Sequence, residues 1–326
     1  MKLGILGGGA WGTALAQVAA SGGEETLLWA LEPEVVNAVN TVHENPAYLA
    51  GISLSPAIRA TSNLAELDSC DAWFAVTPAQ HMRSVLEQAP NSDKPLVLCA
   101  KGIDEKSGEL LHDVARQACP GASIAVLSGP TFAHEVARGL PTAVTLAAAD
   151  VALAERLRER LALPTFRIYV SDDVAGAEIG GAVKNVLAIA CGVVEGKGLG
   201  QNARAALISR GFAEMTRFGL ACGARRETLA GLSGLGDLVL TCTSTSSRNY
   251  SLGKGLGEGR AVAELLADRR TVAEGAFTAP VLAKLAREKS VDMPIVDAVA
   301  TLLAGRSTVD EVLSALLTRP PRPESL

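Results

Sequence analysis

Through the first half of the chain, short apolar runs alternate with amphipathic stretches. The runs at 2–6, 26–30, 71–76, 96–100, 123–127, 142–146 and 166–170 read as strands. Helical spacing of apolar residues appears between them, as at 10–20 and 80–88. That rhythm is the one a parallel sheet with crossover helices imposes. It stops at about Ser171. Beyond it the apolar positions recur at helical spacing over 203–220, 225–232, 279–290, 294–305 and 309–319, with glycine-rich turns between. Thr308 with Glu311 three residues on is a capping box that opens the last helix. The closing RPPRPESL holds too much proline to pack and is expected to fray. The chain shows no internal repeat. The pattern predicts an α/β domain over 1–178 followed by an all-α domain over 179–326.

One lysine breaks the pattern. Within EIGGAVKNVLAIACGVVEGKG, residues 178–198, Lys184 shares its helical face with Gly180, Gly181, Leu187 and Ala188. No carboxylate on that face can pair with it. A buried ammonium without a partner costs several kcal/mol, so a partner from elsewhere in the chain is expected.

Composition narrows the class. With 326 residues and 48% hydrophobic content, the chain can fill two cores. A net charge of -5 and 4% aromatics give little to attract or stack nucleic acid, so small molecules are the expected ligands. The cysteines at 70, 99, 119, 191, 222 and 242 form no CxxC pair and no zinc spacing with the four histidines, which predicts reduced thiols and no metal. The opening MKLGILGGGAWG has a basic residue before an apolar run but passes straight into a glycine turn, unlike an export signal. Uninterrupted apolar runs such as 186–194 are shorter than the ~20 residues of a spanning helix. A cytoplasmic protein without a membrane span is expected.

Gly7, Gly9 and Gly12 form GxGxxG after the first predicted strand and at the start of the first helix. Glycines there let the backbone approach a pyrophosphate, and the helix N-terminus supplies amides and positive dipole. Alone the motif is compatible with a structural turn. In this context Glu32, 20 residues after Gly12, adds an acid suited to an adenosine ribose diol. The first domain is therefore expected to be a doubly wound Rossmann-type sheet that binds a dinucleotide, and the helical domain to carry substrate and catalysis. GVVEGKG lacks the spacing and hydroxyl of a Walker loop, and LGKGLGEGR, 252–260, follows no strand and is expected to be a mobile turn.

Three other segments place polar groups where packing alone would not. Lys101 follows the predicted strand at 96–100, where open parallel sheets place ligands. SGPTF, 128–132, offers backbone amides and the Thr131 hydroxyl after another strand. In LSGLGDLVLTCTSTSSRNY, 232–250, Asp237 lies in an uncharged apolar run and calls for a cation. The hydroxyls from Thr243 to Ser247 then lead to Arg248, whose fork of donors fits a phosphate. Each has a plain alternative: a structural ion pair, a linker or a solvated surface arginine.

The segments GGGAWGTALA, HENPAYLAGI, AKGI, SGPTFAHEVARGLPTAV, GGAVKNVLAIACG, NARAALISRG, GLGDLVLTCTSTSSRN and VAEGAFTA together resemble the NAD(P)-dependent glycerol-3-phosphate dehydrogenases almost from end to end. The resemblance implies reversible reduction of dihydroxyacetone phosphate to sn-glycerol 3-phosphate, feeding phospholipid synthesis. It implies Lys184 as proton donor and acceptor, and Lys101, Gly129, Thr131, Asp237, Ser247, Arg248 and Asn249 as substrate contacts. Ala10, Trp11, Lys101, Ala133, Arg248, Val272 and Glu274 match coenzyme contacts, and a homodimer is allowed for. Thr131 stands where serine is common, and Ala79 where a serine often stands. Leu31 occupies a position that is basic or polar in many members. With Glu32 next to it no cation awaits a 2'-phosphate, so NAD is expected over NADP. In this reading the small face around Lys184 admits substrate and coenzyme, Asp237 partners the lysine, and Lys101 lowers its pKa. The alternatives are another lysine-dependent hydroxyacid or ketopantoate-type reductase, and an NAD(H)-sensing protein without chemistry.

Overall fold

A computed structural model describes residues 1–90, 93–267 and 273–320. The chain forms two compact units. The first comprises Met1–Ala100 with Leu111–Val174, and the second comprises Lys101–Leu110 with Ala175–Leu326. This partition differs from the expected break after residue 178 in one informative way. The segment that begins at Lys101 leaves the sheet and is built into the second unit.

The first unit carries the strands β1 (Lys2–Leu6), β2 (Glu25–Trp29), β3 (Ile58–Thr61), β4 (Ala72–Ala75), β5 (Leu96–Leu98), β6 (Ile124–Ser128), β7 (Thr142–Ala148) and β8 (Phe166–Ser171). Between them run α1 (Ala10–Ser21), α2 (Pro33–Val42), α3 (Ala79–Gln88), α4 (Leu111–Ala118), α5 (Ala133–Ala137) and α6 (Val151–Leu161). The sheet order is β3-β2-β1-β4-β5-β6-β7-β8. The chain winds outward from β1 in one direction and then in the other, which makes the carboxyl ends of β1 and β4 the switch point. The apolar runs become strands because each buries its side chains in one core, with Leu3, Ile5, Leu28, Phe74, Val97 and Leu127 among them.

Two features of the sheet differ from the expectation. β3 has too few apolar residues to announce itself and exists through its pairing with β2. The sheet is also not wholly parallel, since β6 and β7 pair antiparallel. Their connection holds only the short α5, which packs on α1, whereas the longer α6 returns the chain for the parallel β7 and β8 pair.

Among the described residues the second unit is helical, with one isolated bridge between Ile103 and Leu110. Its helices are α7 (Val174–Gly196), α8 (Gly200–Ala221), α9 (Arg226–Leu229), α10 (Asp237–Cys242), α11 (Arg248–Gly257), α12 (Val262–Leu265), α13 (Glu274–Glu288), α14 (Pro294–Leu303) and α15 (Val309–Leu317), with a π-helical turn at Leu232–Gly236. The capping box at Thr308 and Glu311 is formed in both directions. The predicted fraying of RPPRPESL concerns mainly 321–326, outside the described residues.

α7 is the axis of this unit. It is long and apolar enough by composition to cross a membrane, a length the uninterrupted runs alone understate, yet Gly176 through Val194 are all buried in the protein. Glycines permit neighbours to close on it. A Cβ at Gly192 would lie 2.1 Å from the Tyr250 carbonyl oxygen, and one at Gly253 would lie 1.9 Å from that of Ile189. This corrects the reading of 252–260 as a mobile turn, because most of it is α11. Gly253 and Gly257 form the face of that helix that closes on the α7 backbone.

Candidate active site

Lys184 lies near the middle of α7, 6% exposed. Its Nζ donates to Oδ1 of Asp237 at 2.7 Å and to the Thr241 hydroxyl at 2.8 Å. The Lys101 Nζ meets the other oxygen of the same carboxylate, also at 2.7 Å. Asp237 is fully buried and opens α10. It thus serves two cations, and the pairing expected of Lys184 is present.

Local packing explains how a residue so far along the chain arrives there. A Cβ at Gly180 would stand 2.4 Å from the Ser233 carbonyl oxygen, so the π-helical turn rests directly on α7 one helical turn before Lys184. The small face expected to admit substrate is therefore taken, at Gly180, by the backbone that delivers Asp237.

Burial dominates the electrostatics. It pushes the Lys184 ammonium down to about 8; the Asp237 carboxylate opposes this, and the Lys101 charge adds to the lowering. An amine so placed can both give and take a proton near neutral pH.

An amide chain braces the cluster. Asn185, beside the lysine, donates its Nδ2 to the Lys101 carbonyl at 3.2 Å and accepts from Asn249 Nδ2 at 3.0 Å. Asn249 Oδ1 in turn accepts the Gly275 amide at 2.9 Å, next to Glu274 at the start of α13. Ser247 caps α11 by accepting from the Tyr250 amide, and Arg248 follows it, exposed, in the first turn. Val272 lies outside the described residues. Neither Thr241 nor Asn185 was singled out by sequence. Thr241 could have been, because it follows Asp237 by one helical turn.

In the first unit, Gly7 adopts φ 130, open to glycine, and a Cβ at Gly12 would fall 1.9 Å from the Gly7 carbonyl oxygen. Gly9 is the N-cap of α1 and supplies no side chain, leaving the amides of Ala10 and Trp11 at an uncapped N-terminus. The Trp11 indole N–H is buried without an acceptor among the described residues. Leu31 is 74% exposed, and Glu32 beside it is the N-cap residue of α2. Gly129 has φ 149, Thr131 donates to the Gly129 carbonyl at 3.3 Å, and Ala133 opens α5. An uncapped helix N-terminus against glycines that admit no side chain fits a dinucleotide pyrophosphate.

Comparison with known proteins is decisive for the family. The model of the NAD-dependent glycerol-3-phosphate dehydrogenase N-terminus matches residues 2–154, and that of the C-terminus matches 173–314. The chain belongs to this dehydrogenase family. A glycerol-3-phosphate dehydrogenase [NAD(P)+] of Erythrobacter litoralis is 63% identical over 99% of this chain and 98% of its own length. The corresponding protein of Caulobacter vibrioides is 56% identical over 99% of both. The crystal structure of glycerol-3-phosphate dehydrogenase from Coxiella burnetii superposes with a TM-score of 0.93 at 37% identity, covering 98% of this chain and 99% of that one. In this chain the segments AKGI, GGAVKNV and GLGDLVLT supply Lys101, Lys184 and Asp237.

Proposed function

We propose that the protein catalyses the reversible NAD(P)H-dependent reduction of dihydroxyacetone phosphate to sn-glycerol 3-phosphate in the cytoplasm, supplying glycerophospholipid synthesis. The observation that carries the reading is the buried Lys184 held at 2.7 Å from Asp237, in a chain of this family. A nicotinamide coenzyme held by the glycine loop would supply the hydride in reduction and take it up in oxidation.

As the carbonyl oxygen gains charge, Lys184 stabilises it and donates a proton from Nζ, and it takes that proton back in oxidation. Asp237 holds Nζ in position, with Thr241 as the second acceptor. Lys101, on the other oxygen of Asp237, adds a second positive charge to the cluster. Arg248, the Ser247 region, Asn249, Gly129 and Thr131 bind the substrate, with the guanidinium of Arg248 on the phosphate. Gly7, Gly9, Ala10, Trp11 and Gly12 bind the coenzyme pyrophosphate region, and Leu31 with Glu32 bind the adenosine ribose, favouring NAD. Ala133, Val272 and Glu274 complete the coenzyme contacts. The part that carries the glycine loop is then the dinucleotide-binding part, and the helical part, with Lys184, Asp237 and Arg248, is the substrate and catalytic part.

A spectrophotometric assay with dihydroxyacetone phosphate and each reduced coenzyme tests the reading. NADH oxidation that depends on dihydroxyacetone phosphate supports it. Turnover only with a 2-oxo acid would transfer the site to a carboxylate reductase, and NADH binding without turnover of either substrate would make it a sensor.

A further inference from the structure

The segment HENPAYLAGI, which begins at His43, is part of the family resemblance but has no role in the mechanism above. Its first residue ends α2 in the left-handed region, with φ 52, and the chain then runs back to the glycine loop. Asn45 is fully buried there. Its Nδ2 donates to the Gly8 carbonyl and to the Thr13 hydroxyl, each at 2.8 Å. Its Oδ1 accepts the Tyr48 amide at 3.3 Å, and the Tyr48 hydroxyl donates to Glu32 Oε1 at 2.7 Å. One turn of chain thus grips the phosphate-binding loop at one end and the ribose-binding acid at the other.

Glu32 needs such a partner. As N-cap residue of α2 its side chain makes no capping hydrogen bond, and a long carboxylate left alone would lose rotamer freedom on meeting a ligand. A phenol donating to a carboxylate is a charge-assisted bond, strong enough to select one orientation beforehand. With Oε1 engaged by Tyr48, the second oxygen is left to accept a ribose hydroxyl. The exposed neighbour Leu31 offers no cation to a phosphate.

We propose that Tyr48 is a specificity-determining positioning residue of the coenzyme site. Its hydroxyl holds Glu32 so that the carboxylate accepts the adenosine ribose diol of NAD and repels the 2'-phosphate of NADP, and Asn45 anchors that arrangement to the glycine loop. The inference rests on the dehydrogenase reading and on Glu32 as the ribose acid.

The test is fluorescence titration of NADH and NADPH on the full-length protein, with steady-state kinetics alongside, for wild type, Tyr48→Phe, Glu32→Gln and the double variant. Tyr48→Phe is expected to weaken NADH about fivefold and NADPH little, with the loss in KM for NADH rather than in kcat. In the Glu32→Gln background the same change is expected to do nothing further. A wild-type NADH to NADPH ratio retained in Tyr48→Phe overturns the inference, as does an equal loss for both coenzymes, which marks a merely structural tyrosine. Wild-type protein that binds NADPH as tightly as NADH also overturns it while leaving the dehydrogenase reading intact. Binding of neither coenzyme would defeat that underlying reading instead.

Discussion

Lys184 and Lys101 are bound to opposite oxygens of one buried carboxylate, that of Asp237, each at 2.7 Å. Two ammonium groups so close to one anion cannot both be fully compensated. Desolvation then acts on the more deeply buried one, Lys184, and brings it to about 8.

Removing the amine itself should separate chemistry from binding. Lys184→Ala is expected to abolish turnover, a loss of at least ~100-fold for a missing general acid, while NADH affinity changes little. Stopped-flow or steady-state assays paired with coenzyme titration measure both. Near-normal turnover would remove Lys184 from the mechanism.

The pH profile follows from the direction of the shift. Ketone reduction uses protonated Lys184, so kcat/KM for dihydroxyacetone phosphate should fall as pH rises through about 8. Alcohol oxidation uses the neutral amine and should rise over the same range. Asp237→Asn removes the group that opposes the lowering, so both limbs should move to lower pH. The same change leaves two cations uncompensated and should cost ~3–5 kcal/mol of stability, readable in a denaturant titration.

Arg248 is exposed in the first turn of α11, and it makes no ion pair among the described residues. Arg248→Ala is expected to raise KM for dihydroxyacetone phosphate by ~10–100-fold, as loss of a charge-assisted phosphate contact does, and to leave turnover of unphosphorylated dihydroxyacetone largely unaltered. Equal losses for the two substrates would take the phosphate role away from it.

A second buried ionisable group lies elsewhere in the helical unit. Glu214 on α8 accepts the amides of Ile295 and Val296 at the start of α14, and burial raises its carboxyl from 4.5 to about 8 despite those bonds. Between these values the folded chain keeps a proton that the unfolded chain has released. Stability from this group is thus full below about 4.5 and is lost as pH rises through about 8. Glu214→Gln keeps an acceptor without the titration, so its melting temperature should depend less on pH over that window. A wild-type slope in the variant would show that Glu214 is not the source.

Much of this architecture was legible before any fold was known. The alternation of short apolar runs implied the sheet because strands buried in a core must be apolar, and β1 matches its predicted bounds. The glycine spacing 7, 9, 12 was readable because backbone crossing of the kind seen between Gly12 and Gly7 excludes every other side chain. β3 was not readable, since IRAT is defined by its partner β2 and not by its own hydrophobicity. The glycines of α11 suggested a turn because local propensity disfavours them in helices, a cost outweighed where two helices touch backbone to backbone.

The amino-acid order by itself determined that Lys184 would be a lysine without local compensation, because helical periodicity alone specifies which neighbours share its face. It also determined the glycine loop, the acid at Glu32 and the capping of α15, all of which depend on residues within a few turns of one another or on a fixed strand-to-helix spacing. Only the tertiary structure decided that Asp237 would be divided between Lys184 and Lys101, that Thr241 and Asn185 would join them, and that Tyr48 would hold Glu32. Those relations bring together atoms from distant parts of the chain. Their geometry is set by how closely backbones can approach, as at Gly180, and no local pattern encodes that distance.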